Sequence, residues 1–170
     1  MLFRSGRYIS LVQDGDDLVP PGDVVVCLEL QTSAFLDLLT KASEEESLAL
    51  HPPYTWTLRQ VVGHVIDAER IFGCRALRIA RNDQTPLPSF DENAYVENAD
   101  FNRVPMTKLL EEFHLVRRSH VAMFLQFRPE DWPRRGTVSG QPMSARAMAW
   151  VIAGHAQHHL QIARRRLGVD

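Results

Sequence analysis

The chain is poor in cysteine: among its 170 residues only Cys27 and Cys74 carry a thiol, and they do not form a CxxC pair. That excludes a disulfide framework and a zinc site built on paired thiolates, and it fits two reduced cysteines in a packed interior. Excess charge of one sign is also missing. With 19 basic and 21 acidic side chains the formal charge is −2, so nothing supplies the basic surplus that drives binding to nucleic acid. No hydrophobic run approaches a membrane span, and Met1-Leu2-Phe3-Arg4-Ser5-Gly6-Arg7 is not followed by the apolar stretch of a secretory signal. The expectation is a soluble, cytoplasmic protein with neither a nucleic-acid nor a membrane partner. A Ser-His-Asp order, a phosphate-cradling glycine loop and a dinucleotide fingerprint are lacking too, as are strand-like alternation and internal repeats.

What remains is helical. Hydrophobic residues make up 45% of the chain, enough for one sizeable core. Residues 1–22, with Gly15, Pro20, Pro21 and Gly22, hold no sustained period and read as an N-terminal arm ahead of a domain over 23–170. Leu28, Leu30, Ala34, Phe35, Leu38, Leu39 and Ala42 recur at helical spacing between Asp23 and Glu46, giving the first helix. Thr57-Leu58-Arg59-Gln60 is a capping box that opens a second helix reaching about Arg81. Residues 82–105 are too broken by Pro86, Pro88 and Pro105 for a long helix and too long for a turn, so they read as a crossover or functional loop. Thr107 to Phe127 forms the third helix, closed by Pro129 and Pro133. Ser144 caps the fourth, which Gly168 ends. The expected architecture is an all-α four-helix bundle. If residues 82–105 cross its length, the order is up-down-down-up.

Histidine is placed unevenly. His155 and His159 are one helical turn apart, so their rings project from one face about 6 Å apart along the axis. His64 lies in an apolar stretch of the second helix, roughly 10 Å from its start, while His159 and His155 lie roughly 12 and 18 Å from the end of the fourth. Antiparallel neighbours bring these three to one level. Three imidazoles with an open position make a catalytic type of metal site, whereas ordinary hydrogen-bonded core histidines are the bland alternative. Spacing alone leaves both standing.

Together, Trp56-Thr57-Leu58-Arg59-Gln60-Val61-Val62-Gly63-His64, Asp67-Ala68-Glu69-Arg70, Pro86-Leu87-Pro88-Ser89-Phe90-Asp91-Glu92 and Ala153-Gly154-His155 through His159 resemble the DinB-like (YfiT-like) superfamily of four-helix metalloproteins. The resemblance covers residues 23–167. It implies a divalent metal held by one histidine of the second helix and two of the fourth, which by position are His64, His155 and His159. It further implies zinc or nickel as the ion, with iron or manganese as further fits, and commonly a homodimer. Activities in the family include thiol-dependent transfer and isomerisation with low-molecular-weight thiols such as bacillithiol or mycothiol, and metal-dependent hydrolysis. The expected function is therefore a metal-dependent transferase or hydrolase that activates a thiol or water on a small molecule. The alternative is a non-catalytic bundle with a structural or sensory metal, working through protein partners.

Further candidates each have a structural reading beside the chemical one. Asp67, one turn beyond His64, is a candidate catalytic group, orienting carboxylate or salt-bridge partner, and His158 a candidate catalytic neighbour or exposed polar residue. Glu69, Arg70 and Arg75 read as ion-pair residues, and Glu111-x-x-His114 as a solvated face, because a di-iron site needs a second such element. Asp91, Glu92 and Tyr95 belong either to a pocket mouth or to a helix cap. Trp56, Trp132 and Trp150 are expected to pack.

Overall fold

The computed structural model describes residues 21–169. The proposed arm over 1–22 lies almost wholly outside them. Four long helices form the bundle: α1 (Pro21–Leu39), α3 (Leu58–Ala80), α5 (Met106–Phe124) and α6 (Ala145–Arg166). Two short helices, α2 (Glu44–Leu48) and α4 (Glu92–Ala99), a 3-10 turn (Phe101–Arg103) and a hairpin of β1 (Arg135–Val138) and β2 (Gln141–Ser144) complete the described elements. The expected four-helix bundle is what the chain forms.

Two expectations need correction. The first helix does not run unbroken to Glu46, because after Leu39 the backbone tightens, with Lys41 N bonded to Leu38 O at 3.4 Å and Ala42 N to Leu39 O at 3.3 Å. Ser43 then starts α2 with a capping box: its hydroxyl accepts from Glu46 N at 3.2 Å and the Glu46 carboxylate accepts from Ser43 N at 2.8 Å. The acidic run Glu44-Glu45-Glu46 belongs to a helix start, where the macrodipole favours negative charge. A strand pair was also not anticipated. Its strands have four residues each, too few for period two to stand out, and they are joined by Ser139 and Gly140 at φ 51° and 79°. Positive φ at both central positions is the two-residue hairpin geometry that fits strand twist.

The hairpin anchors the crossing segment. Leu87 N donates to Thr137 O and Ser139 N to Leu87 O, both at 2.8 Å. From there the segment lies along α3. Pro88 O accepts from Arg75 Nη2 at 2.5 Å, Phe101 fills the space beside Gly63, and Asn102 accepts from Thr57 Oγ1 at 2.6 Å and, through its carbonyl, from Arg59 Nη1 at 2.9 Å. A Cβ on Gly63 would lie 2.3 Å from the Phe101 ring, so glycine there is what admits the aromatic.

The core divides along the bundle. Val24, Leu28, Ala68, Phe72, Ile79, Phe124 and Met148 belong to one cluster; Phe35, Leu39, Leu58, Val62, Phe113 and Leu160 belong to the other. The start of α3 thus packs with the start of α5 and the end of α6. A buried polar network ties the four long helices together. Arg117 of α5 pairs with Glu69 of α3 and donates to Leu28 O (3.3 Å) and Gln31 Oε1 (3.4 Å) of α1. The second Glu69 oxygen meets His120 Nδ1 at 3.0 Å, and Gln31 Nε2 donates to Ala153 O of α6 at 2.9 Å. Glu69 and Arg117 are each 1% exposed, so removing one partner leaves a charge with no water to replace it. Arg117→Met is expected to cost about 3–5 kcal/mol of stability, and the added Glu69→Gln change to recover part of it. Urea unfolding of both variants checks this; a single-variant loss within the roughly 0–1 kcal/mol of an exposed pair would contradict it.

Candidate metal centre

Two helix starts set where the histidines lie. At the start of α3, Thr57 Oγ1 accepts from Gln60 N at 3.1 Å and Gln60 Oε1 accepts from Thr57 N at 3.0 Å, which places His64 two turns inside the helix. At the start of α6, Ser144 Oγ accepts from Ala147 N at 3.0 Å. Midway along its length α6 presents small residues, Ala153 and Ala156, both buried, on either side of His155. Small side chains allow close helix approach, and the imidazoles of α6 reach across to α3.

The three rings meet. Ring centroids are 4.9 Å apart for His64 and His155, 5.0 Å for His64 and His159, and 4.6 Å for His155 and His159. His64 Nε2 and His155 Nε2 approach to 3.0 Å, and one ligand nitrogen from each residue lies within 4.8 Å of the others. Nitrogens sharing one tetrahedral ion stand about 3.3 Å apart, given bonds of about 2.0–2.1 Å, so the cluster fits a single divalent ion. A second observation agrees with that fit: His159 Nδ1 is buried with no hydrogen-bond partner. Buried polar atoms are ordinarily satisfied, and an orphan at such a point calls for an explanation.

The electrostatics favour neutral rings. Burial pushes the His64 imidazole down to about 4, against an opposing pull from the Glu92 carboxylate. His155 and His159 are held well below the ordinary histidine value, mainly by burial and then by the neighbouring imidazoles. A neutral imidazole is the form that donates a lone pair to a metal. His64 and His159 are buried, whereas His155 keeps partial access to solvent.

Aromatic side chains surround the cluster. Trp56 packs on His64 at 5.0 Å between ring centroids and Phe72 on His155 at 5.5 Å. Phe90, from the crossing segment, meets Phe72 at 6.2 Å and Tyr95 at 5.4 Å. Arg75 lies 5.7 Å from the Phe72 and Phe90 ring centroids and holds the Pro88 carbonyl, so it fastens this wall to α3.

The other candidates fall elsewhere or nearby. Asp67 faces Arg70 at 3.9 Å, and Arg70 in turn pairs with Glu112 of α5 at 2.6 Å, which puts Asp67 on the α3–α5 side and not among the converging nitrogens. Burial raises its carboxyl pKa, with Arg70 opposing. His158 packs against His159 at 5.2 Å, adjoining the cluster without joining it. Glu69 serves the buried network, and Glu111 pairs with Lys108 at 2.8 Å on the surface. Asp91 is a helix cap, accepting from Asn93 N and Ala94 N. Trp56, expected only to pack, packs directly on His64.

The sequence profile of the DinB superfamily matches residues 28–163. The chain belongs to that superfamily. No curated protein matches it by sequence. Among solved structures this DinB chain resembles YfiT from Bacillus subtilis, described as a probable metal-dependent hydrolase with an unusual four-helix bundle topology. The TM-score is 0.79 at 16% identity, over 91% of this chain and 93% of that one. It also resembles a mycothiol-dependent maleylpyruvate isomerase, at a TM-score of 0.71 and 14% identity, over 84% of this chain and 60% of that one. A histidine-to-alanine variant of the isomerase matches to the same extent. The DinB chain thus spans 60% of the isomerase, and at identities this low the likeness shows a shared fold alone. No helix among the described residues is long and apolar enough to cross a membrane.

Depressed histidine pKa values have a stability consequence. Above the ordinary value of 6.5 both folded and unfolded chains carry neutral rings; below it the unfolded chain takes up protons that folded His64 refuses until about pH 4 and that folded His155 and His159 also resist. Stability of the metal-free protein is therefore expected to fall progressively as pH drops from 6.5 to about 4. Thermal melts in chelator check this against a His64→Gln/His155→Gln/His159→Gln protein, whose decline over that window should be shallower. Equal slopes would refute the assignment.

Proposed function

We propose that this DinB protein is a divalent-metal-dependent enzyme in which His64, His155 and His159 hold the ion and a small molecule is attacked by a thiol or by water. The observation that carries the reading is the convergence of three neutral imidazoles from two helices, without an acidic or cysteine ligand in the group. An ion so held lowers the pKa of a water or thiol, or polarises a carbonyl. Zinc or nickel suits the imidazole set, and iron or manganese is a further fit. The likeness to a mycothiol-dependent isomerase supports a low-molecular-weight thiol as co-substrate, and the likeness to YfiT supports hydrolysis.

The protein's own residues supply the rest. The Phe72–Phe90 wall and Trp56 limit water around the imidazoles, which strengthens electrostatic interactions there. His155 offers the accessible edge at which a substrate can enter. His158, beside His159, is the nearer candidate for handling a proton, and Asp67 the more distant. The same proposal takes residues 23–170 as the domain, an up-down-down-up path with its crossover between α3 and α5, a cytoplasmic location and a homodimer. Support for the path comes from the crossing segment, which follows α3 from Arg75 back to Thr57.

Protein purified without an affinity tag is expected to contain about one divalent ion per three-histidine site, the number implied by the ligand set. His155→Ala/His159→Ala should abolish that content while leaving helicity by circular dichroism near wild type. Elemental analysis decides: no stoichiometric metal in the wild type, or unchanged metal in the variant, overturns the reading. Assays of the loaded protein on an electrophile with and without a small thiol then separate transfer from hydrolysis.

A further inference from the structure

A buried guanidinium needs an anion or several acceptors, because it stays charged and has little water around it. Arg59 pairs with Glu44 and Arg117 with Glu69, while Arg166 donates to the His51 ring at 3.4 Å and to Ala49 O at 3.2 Å. Arg75 is 6% exposed, yet among the described residues no carboxylate pairs with it, contrary to the ion pair expected from the sequence. Nη2 donates to Pro88 O at 2.5 Å, and the guanidinium carbon lies 5.7 Å from the Phe72 and Phe90 ring centroids. With five N–H donors in a fork that matches a carboxylate, one carbonyl and two rings compensate such a charge only in part.

Its place in the fold ties this charge to the histidines. Arg75 follows His64 by a little over three turns, so both lie on one face of α3, about 16 Å apart along the axis. Helical side chains lean toward the N-terminus, which carries the Arg75 head back toward His64. The Phe72 ring bridges the interval, meeting the guanidinium at 5.7 Å and the His155 ring at 5.5 Å. His155 is the histidine of the three that keeps partial access to solvent.

Resting on the three-histidine reading above, we propose that Arg75 is the anion anchor of the site: it binds the carboxylate of a small molecule whose body lies along Phe72 and whose reacting end reaches the imidazoles. A clamp that merely ties Pro88 and Phe90 to α3 is the alternative role for the same contacts. The two differ in what a ligand's charge does. Loss of a clamp weakens charged and neutral ligands alike, whereas loss of an anchor removes the discrimination between them.

Calorimetric titration at neutral pH with 4-phenylbutyrate and its neutral isostere 4-phenylbutanamide tests this, on the protein as purified and after chelation. Wild type is expected to prefer the carboxylate by roughly tenfold, the order of one hydrogen-bonded pair to a charged group. Arg75→Met should bring the ratio near one with little change for the amide. Arg75→Lys, which keeps the charge and loses the fork, should give an intermediate ratio. Arg78→Met removes a neighbouring cation paired with Asp83 and should leave the wild-type ratio. Thermal melts show which variants fold; if Arg75→Met does not, the Arg75→Lys ratio decides. No binding of the carboxylate, equal affinity for the two probes in wild type, or an unchanged preference in the folded Arg75 variants overturns the anchor. Because the ratio is also read without metal, a protein that carries no ion overturns the three-histidine reading and leaves Arg75 to be judged by its own titration.

Discussion

The register of α3 against α6 is the constraint on which the rest depends. One histidine comes from α3 and two from α6, so a slip of one turn, about 5.4 Å, would separate His64 from its partners by more than the ring spacings they now show. The caps at Thr57 and Ser144 fix where each helix begins. The split core then fixes how deep each lies, because Leu58 and Val62 share one cluster with Leu160 while Phe72 and Ile79 share the other with Met148. Packing of ordinary aliphatic side chains thereby holds three polar rings at one point.

Holding them there has an electrostatic cost that the protein meets by keeping the imidazoles neutral. The same burial that lowers their proton affinity leaves lone pairs available, the form in which an imidazole can take up a cation. Elsewhere in the interior the solution is different. Glu69, Arg117 and His120 are charged or polar groups matched to one another and to backbone carbonyls, and they join the four long helices without adjoining solvent. Each cluster keeps a buried nitrogen without a hydrogen-bond partner, Arg117 Nε in the network and His159 Nδ1 among the imidazoles.

The crossing segment is the second organising feature. A mean bundle would leave the α3 face bearing His64 open to water, and here that face is lined by residues from 86–103. Two glycines make the lining and the interior possible: Gly63 admits Phe101, and Gly73 admits His120, whose Nε2 lies 2.0 Å from where a Cβ would be.

Much of this was legible in residues read singly or in short windows. Thr57-x-x-Gln60 and Ser144 marked two helix starts because capping is a local hydrogen-bond pattern, and the His155/His159 spacing marked a shared face because helical geometry is local too. Ser43-x-x-Glu46 held the same kind of signal for α2, hidden by the apolar period that precedes it. The hairpin was not legible: four-residue strands carry too little alternation, and their pairing with Leu87 depends on a residue fifty positions earlier. Asp91 and Glu92 could not be separated by their sequence context, since both are acidic residues at a helix start; only the fold turns Asp91 back on its own backbone to cap α4. The sequence by itself determined the bundle, its helix starts and the three histidines that can meet. Tertiary structure decided how closely they meet and which carboxylate is spent on the core, because those outcomes depend on long-range packing that no local period records.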